Sequence, residues 1–377
     1  MRIAALGDAH LGRSYYPATT PEGVNQRERD FEASFEAAVD AALATEPDAM
    51  IWLGDVFDHP RPTYRSYRVA QRALAAIRDH GVALVVISGN HDTPRLPGTG
   101  SPYSPLADAF SVGSGGTARF AHRMAYERFD LGEVVVHAVP QMLTVEAALE
   151  ALAEVDANRS LEATNLLVTH PRVPQVEPGY ADINEIEVDA GQLRSDLVLL
   201  GHYHFHVTVG PGIWYAGSTD TFSFADNPEH PKGFVVLDTV TGRCRHVPLD
   251  GQRPLLTLPP VAALGLSPAE VADAVLERAA SVPPGAVARL FLDGVEPEAY
   301  RLLDLAAVRE AAAGALHFKL EPSFLTAAAR VELPALDAMP ARWDAYVAGQ
   351  DLTGLDRERV RDLGRHYLAQ AVEEAAD

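Results

Sequence analysis

The chain has one cysteine, Cys244, in 377 residues, so no disulfide can form within it. It has no apolar run long enough to cross a bilayer. Its first residues, MRIAALGDAH, turn polar too soon for a signal peptide. These absences predict a cytoplasmic protein with no membrane partner. There is no internal repeat and no low-complexity tract. Basic residues are also scarce: 31 Lys and Arg stand against 52 Asp and Glu, a net charge of −21. Nucleic-acid binders usually carry a basic footprint, so the chain is not expected to grip a nucleic acid unaided. Bound divalent cations or a partner subunit could supply those contacts. The acidity could equally be a solubility bias spread over the surface. What is present is globular, 47% hydrophobic and 22% charged. The length suggests two or three domains.

Strand-like and helix-like segments alternate at first. Short apolar runs at Arg2–Leu6, Ala49–Leu53 and Val82–Ile87 each stop at a polar cluster. Helices are predicted over Arg27–Ala44, where Phe31, Phe35, Val39 and Leu43 recur every fourth residue, and over Tyr64–His80, closed by Gly81. This is the α/β pattern in which ligands bind beyond the carboxyl ends of strands. Further strands are predicted at Val134–Val139, Thr164–Thr169 and Leu197–Leu200, with a helix at Val145–Asn158. The stretch from His206 to Pro248 reads as short strands of a second sheet packed on the first. After Gly251 a capping box, Ser267-Pro268-Ala269-Glu270, opens a small α/β module. Pro334 and Pro340 flank a linker, and Trp343–Ala376 reads as a polar helical tail. The predicted domains are residues 1–250, 251–333 and 334–377.

Five clusters carry chemistry: Asp8-Ala9-His10, Gly54-Asp55-Val56-Phe57-Asp58, Gly89-Asn90-His91-Asp92, Thr169-His170 and Gly201-His202-Tyr203-His204. Asp8 and His10, like His202 and His204, sit at alternate positions, which in extended chain places both side chains on one side. Imidazole and carboxylate without thiolate suit manganese, iron or zinc better than a structural zinc site. One such cluster alone is a polar strand end. All five in order point to a shared metal site.

With these motifs the sequence resembles the calcineurin-like metallophosphoesterase superfamily, whose signature is D-x-H, G-D, G-N-H-[D/E], H and G-H-x-H. The resemblance implies a four-layer α/β/β/α sandwich. It also implies two divalent ions, one held by Asp8, His10, Asp55 and His204, the other by Asp55, Asn90, His170 and His202, with Asp55 bridging. Two such ions, about 3.5–4 Å apart, clamp phosphoryl oxygens and activate a water. His91 is then expected to protonate the leaving oxygen. Asp58 resembles the carboxylate that orients the catalytic histidine in phosphoprotein phosphatases, although a loop or helix-cap carboxylate would read the same. His59-Pro60 replaces the Arg-Gly of those phosphatases, against a protein-phosphatase reading.

Asp8-Ala9-His10-Leu11-Gly12, the Gly54–Asp58 element, and Gly217-Ser218-Thr219-Asp220 followed by Lys232-Gly233-Phe234 resemble the SbcD-type nuclease subunits, over residues 1–250. That resemblance implies a DNA nuclease of double-strand-break repair, nucleoid-associated: a 3′-to-5′ exonuclease on duplex ends and an endonuclease on single strands or hairpins. It further implies manganese as the metal, a small α/β capping domain that binds DNA, a helical tail binding an SbcC-like coiled-coil ATPase, and a homodimer. On periodicity alone the apolar stripes of Trp343, Tyr346, Val347, Val360, Leu363, Tyr367 and Leu368 fit a partner surface or a tail packed on its own body. Arg61, Arg65, Arg68 and Arg72 could track DNA phosphates or form a solvated helix face. Arg13, Tyr15 and Tyr16 could touch substrate. His122, His137, His206, His246, His317 and His366 match no motif and read as structural or surface residues. The alternatives are a small-molecule phosphodiesterase acting on cyclic nucleotides or nucleotide esters, and a non-catalytic scaffold, which would be expected to lack ligands.

Overall fold

The computed structural model describes residues 1–96, 98–176, 185–226, 229–325, 343–344, 346–348 and 356–374. Strands β1 (Arg2–Leu6), β2 (Ala49–Leu53), β3 (Ala83–Ile87) and β4 (Ala118–Ala121) alternate with helices α1 (Gln26–Leu43), α2 (Tyr64–Asp79) and α3 (Ser104–Phe110). There follow β5 (Glu127–Asp130), β6 (Val134–Val139), α4 (Val145–Ala157), β7 (Thr164–Thr169), β8 (Leu197–Leu200), β9 (Val207–Gly210) and β10 (Ile213–Tyr215). β11 (Gly233–Asp238) and β12 (Arg243–Pro248) complete two six-stranded sheets, ordered β12-β11-β1-β2-β3-β4 and β5-β6-β7-β8-β10-β9.

Both faces of the central strands are buried, which is why they read as unbroken apolar runs. In β1 the alternate residues Ala4 and Leu6 face one way, packing with Phe35 and Val39 of α1 and Leu74 and Ile77 of α2. Ile3 and Ala5 face the other way, meeting Val136, Leu166, Val168 and Leu199 of the second sheet. The far face of that sheet, including Leu167, Val198 and Leu200, packs on Ala148, Leu152 and Val155 of α4. The result is the expected order of helix, sheet, sheet and helix. Each fully buried Leu, Ile or Val contributes about 1.5–3 kcal/mol.

The segment from His206 to Pro248 does not stay in one sheet. β9 and β10 join the second sheet, while β11 pairs antiparallel with β1 and carries β12 with it. Valines and phenylalanine in FVVLD fit either sheet; only the pairing with β1 decides.

Beyond these sheets lie β13 (Leu255–Thr257), β14 (Val261–Ala262), α5 (Pro268–Ala280), β15 (Val287–Val295), α6 (Pro297–Leu302), α7 (Leu305–Ala311), β16 (His317–Phe324) and α8 (Arg357–Glu374). The capping box is formed: Ser267 N donates to Glu270 Oε2 at 2.8 Å. The chain divides into two compact units. The first is Met1–Leu258, Ala279–Arg289 and Arg309–Lys319; the second is Pro259–Arg278, Leu290–Val308 and Leu320–Asp377. The division thus departs from a break at residue 250. Within the first unit Arg253 donates to both carboxylate oxygens of Asp30 on α1, at 2.6 and 2.8 Å, and also to the Gly285 carbonyl. Those bonds hold the segment around Gly285 to α1. In the second unit Trp343 Nε1 donates to the Arg361 carbonyl of α8 at 2.9 Å. The expected linker at Pro334 and Pro340 lies outside the described residues.

Candidate metal centre

The five clusters sit where the strands end, and the backbone bends sharply to present them. Asp8, His10, Asp55 and His202 have φ of 53°, 45°, 50° and 101°, the left-handed region that side chains rarely enter. Such strain persists where surrounding structure over-determines it, and it clusters at functional sites. Gly54 shows why no larger residue fits before Asp55: a Cβ there would lie 2.6 Å from His170 Nδ1 and 2.7 Å from Gly89 N.

The two sheets bring their ligands together. Asp55 Oδ2 lies 3.6 Å from His10 Nε2 and 3.3 Å from His170 Nε2. His170 Nε2 is 3.8 Å from Asp8 Oδ1. Asn90 Oδ1 is 3.2 Å from both His170 Nε2 and His202 Nδ1. Among the described residues, potential ligand atoms of Asp8, His10 and His204, of Asp8, Asp55 and His170, and of His10, Asp55 and His91 each group within 4.8 Å. All seven residues proposed from the motifs therefore meet, with His91 beside them. A cavity of about 310 Å³ opens on His10, Asp55, Asn90, His91, His202 and His204.

The donor set suits divalent ions. His10 Nδ1 donates to Asp58 Oδ1 at 3.0 Å, which leaves the Nε2 lone pair; that atom is buried and has no hydrogen-bond partner among the described residues. Burial lowers the His10 pKa, against the opposing Asp58 hydrogen bond, so the ring is kept neutral as ligation requires. His170 Nδ1 donates to the Leu53 carbonyl at 2.6 Å and so turns Nε2 inward. Burial would lower the His170 pKa, but Asp55 and Asp8 lift it to about 10. Burial would likewise raise Asp55; His170, with His10 and His91, holds it well below the usual carboxylate range.

One expected role changes. The Asp58 carboxylate was expected to orient His91, but it lies 3.0 Å from His10 Nδ1 and 3.7 Å from His91 Nδ1. The His91 ring instead donates from Nδ1 to the Asp58 main-chain carbonyl at 3.1 Å. Arg13 Nη1 also donates to Asp58 Oδ1, at 2.9 Å, and draws the carboxylate toward the first motif. The arginine stripe of α2 is partly neutralised: Arg65 forks onto Glu32 at 2.6 and 2.7 Å, and Arg72 binds Glu36.

Several supporting residues have contacts that the sequence does not show. Asp92 is buried and accepts from Gly89 N at 2.7 Å, Val56 N at 3.0 Å and the Tyr103 hydroxyl, tying the Asp55 loop to the Asn90 loop. Burial and the Asp55 charge raise its pKa to about 8. Lys232 Nζ donates to the His204 carbonyl at 2.6 Å. The Phe222 ring packs against His10 and His204, with centroids 4.6 and 4.0 Å away. The motif shows an acid at position 92 and a lysine at 232, but not their partners.

Residues 1–206 match the family described as calcineurin-like phosphoesterase. The chain belongs to that family. This calcineurin-like phosphoesterase is similar to three proteins named DNA double-strand break repair protein Mre11. That of Methanocaldococcus jannaschii is 23% identical over 63% of this chain and 62% of its own length. That of Saccharolobus solfataricus is 26% identical over 58% and 55%, and that of Thermoplasma acidophilum 28% over 57% and 55%. The chain thus spans between about half and two thirds of the length of these relatives. A solved dimetal phosphatase of Danio rerio is similar at 12% identity and a TM-score of 0.37, over 62% of this chain and 91% of its own. Among the described residues no helix is long and apolar enough to cross a membrane.

Proposed function

We propose that this phosphoesterase is a metal-dependent DNA nuclease. The observation that carries the reading is the convergence of buried acids and imidazoles from both sheets on one cavity of about 310 Å³, beside the more exposed ring of His91. Similarity to proteins named for DNA double-strand break repair supports DNA as the substrate. In this reading one ion is held by Asp8, His10, Asp55 and His204 and the other by Asp55, Asn90, His170 and His202. Manganese is the expected metal, and iron or zinc suits the same donors. When bound, the pair supplies charge to the phosphoryl oxygens and acidifies a water.

The chain's own residues do the rest. Asp58 keeps His10 in the tautomer that offers Nε2. The Asp58 carbonyl accepts a hydrogen bond from His91 Nδ1–H, so the ring acts as an imidazolium that gives its Nε2 proton to the leaving sugar oxygen and is left as the neutral Nδ1–H tautomer. The expected products are those of 3′-to-5′ trimming of duplex ends and of cuts in single strands or hairpins. We extend the reading to a homodimer and to an SbcC-like ATPase docking on α8, where Leu363 and Tyr367 are 55% and 62% exposed at a four-residue spacing. Deleting the residues after Pro340 should abolish that docking and spare cleavage of small phosphodiesters.

A manganese-dependent assay on end-labelled duplex DNA tests the core of the proposal. Wild type should degrade the DNA, and His91→Ala should slow it by about a hundredfold or more. Intact DNA alongside rapid turnover of a cyclic dinucleotide would favour the second reading, a small-molecule phosphodiesterase. That reading draws on a neighbouring cavity of about 440 Å³, lined by Pro60, Pro94 and Leu96 next to His91.

A further inference from the structure

The loop after the first motif is built to present two aromatic rings. Tyr16 has φ of 61°, an uncommon conformation for a bulky residue. Asn25 holds it there: Nδ2 donates to the Tyr15 and Tyr16 carbonyls at 3.1 and 2.7 Å, while Oδ1 caps α1. Tyr15 lines the metal cavity. Tyr16 lies next to it, ring centroids 5.9 Å apart, and stacks on His317 at 4.3 Å with an interplanar angle of 22°. All three belong to the first compact unit.

Cations are interleaved with these rings. The Arg13 guanidinium sits 4.9 Å above Tyr15, and Arg289 sits 4.7 Å above Phe224. Burial raises the pKa of the Tyr16 hydroxyl, opposed by the charges of Arg27 and Arg289. In a chain of net charge −21, arginines here lie among aromatic rings, and Arg13 and Tyr15 line the cavity itself. Aromatic faces alternating with cations are how proteins hold single-stranded nucleic acid, because every unpaired base offers a π-face and every linkage a negative charge.

We propose that Tyr16 and His317 form a stacking platform for an unpaired base of the DNA strand whose phosphate lies in the metal cavity. The inference rests on the nuclease reading and adds to it that the substrate must present unpaired nucleotides there. A paired base is already stacked and has no face to offer. Tyr16 is a positioning residue in this scheme, acting on the base rather than on the reacting phosphorus.

The test uses single-stranded oligonucleotides, each with one abasic site at a different position, cleaved by the full chain with manganese. Wild type should show one position where the missing base raises KM about tenfold. Tyr16→Ala should lose that penalty, because it has no ring to stack, and Tyr16→Phe should retain it. His317→Ala should reduce it. A penalty unchanged in Tyr16→Ala, or no position with a penalty, overturns the platform while leaving the nuclease reading intact. No cleavage of any oligonucleotide or duplex by wild type overturns the nuclease reading and the platform with it.

Discussion

The two sheets contribute differently to one site. The first supplies Asp8, His10, Asp55, Asn90 and His91, with both acids on left-handed backbone. The second supplies His170, His202 and His204. Each sheet orients the other's ligands: His202 N donates to Asp8 Oδ1 at 3.1 Å, and His170 Nδ1 donates to the Leu53 carbonyl at 2.6 Å. Asp8 is thus fixed by a backbone N–H group and His170 by a backbone carbonyl, whereas His10 is held by the Asp58 carboxylate. Main chain, unlike a flexible side chain, loses little entropy in holding a ligand still once the sheets are packed. A site braced in this way is pre-organised before any ion arrives.

The comparison can be broken hardest at its shared member. Asp55→Asn should cut manganese-dependent hydrolysis of an aryl phosphodiester by about a thousandfold, the scale of losing one charge-stabilising group in a catalytic site. Metal content by elemental analysis should fall with it; full occupancy with lost activity would limit Asp55 to chemistry. Asp58→Ala probes the first sheet alone. Without its acceptor the His10 tautomer is free, so metal affinity should weaken by about 10–100-fold, read by calorimetric titration. A change in His91 function with unaltered metal affinity would restore the expected Asp58–His91 pairing.

Smaller effects report on the brace itself. Asp92→Ala leaves the buried N–H groups of Gly89 and Val56 without their acceptor. It should destabilise the metal-loaded protein by about 3 kcal/mol in urea unfolding. The smallest effect lies between the sheets' outlying strands. His246 on β12 stacks on His206, with centroids 5.0 Å apart. Burial, with the His206 charge, lowers its pKa from 6.5 to about 4. The unfolded chain then binds a proton in that window that the folded chain refuses, so the contribution is present in full above 6.5 and lost as pH falls through 4. Urea midpoints at pH 7 and pH 5 should therefore differ less in His246→Gln than in wild type. An equal difference in both would remove His246 from the acid response.

The ligands were readable before folding because metal chemistry demands particular side chains and strands demand apolar runs. The ends of β2, β6, β7 and β8 fall where the apolar runs end. Asp8 and His10 do reach one point, but on left-handed rather than extended backbone, so their alternate spacing is not what brings them there. Partners are another matter. Nothing in the string distinguishes Asp58 bound to His10 from Asp58 bound to His91, since both histidines are distant in sequence. The α2 arginines fit a phosphate track or a solvated helix face equally in sequence, because their partners Glu32 and Glu36 lie one helix earlier.

Residue types and their order along the chain therefore determined the family, the metal-binding class and the strand ends that bear it. Tertiary structure alone decided that β11 and β12 join the first sheet, that Asp92 ties two ligand loops together, and that Tyr16 meets His317. The reason is physical. Ligand identity and apolar periodicity are local properties of a chain, whereas hydrogen-bond partners and strand neighbours are chosen only when distant segments compete for the same space.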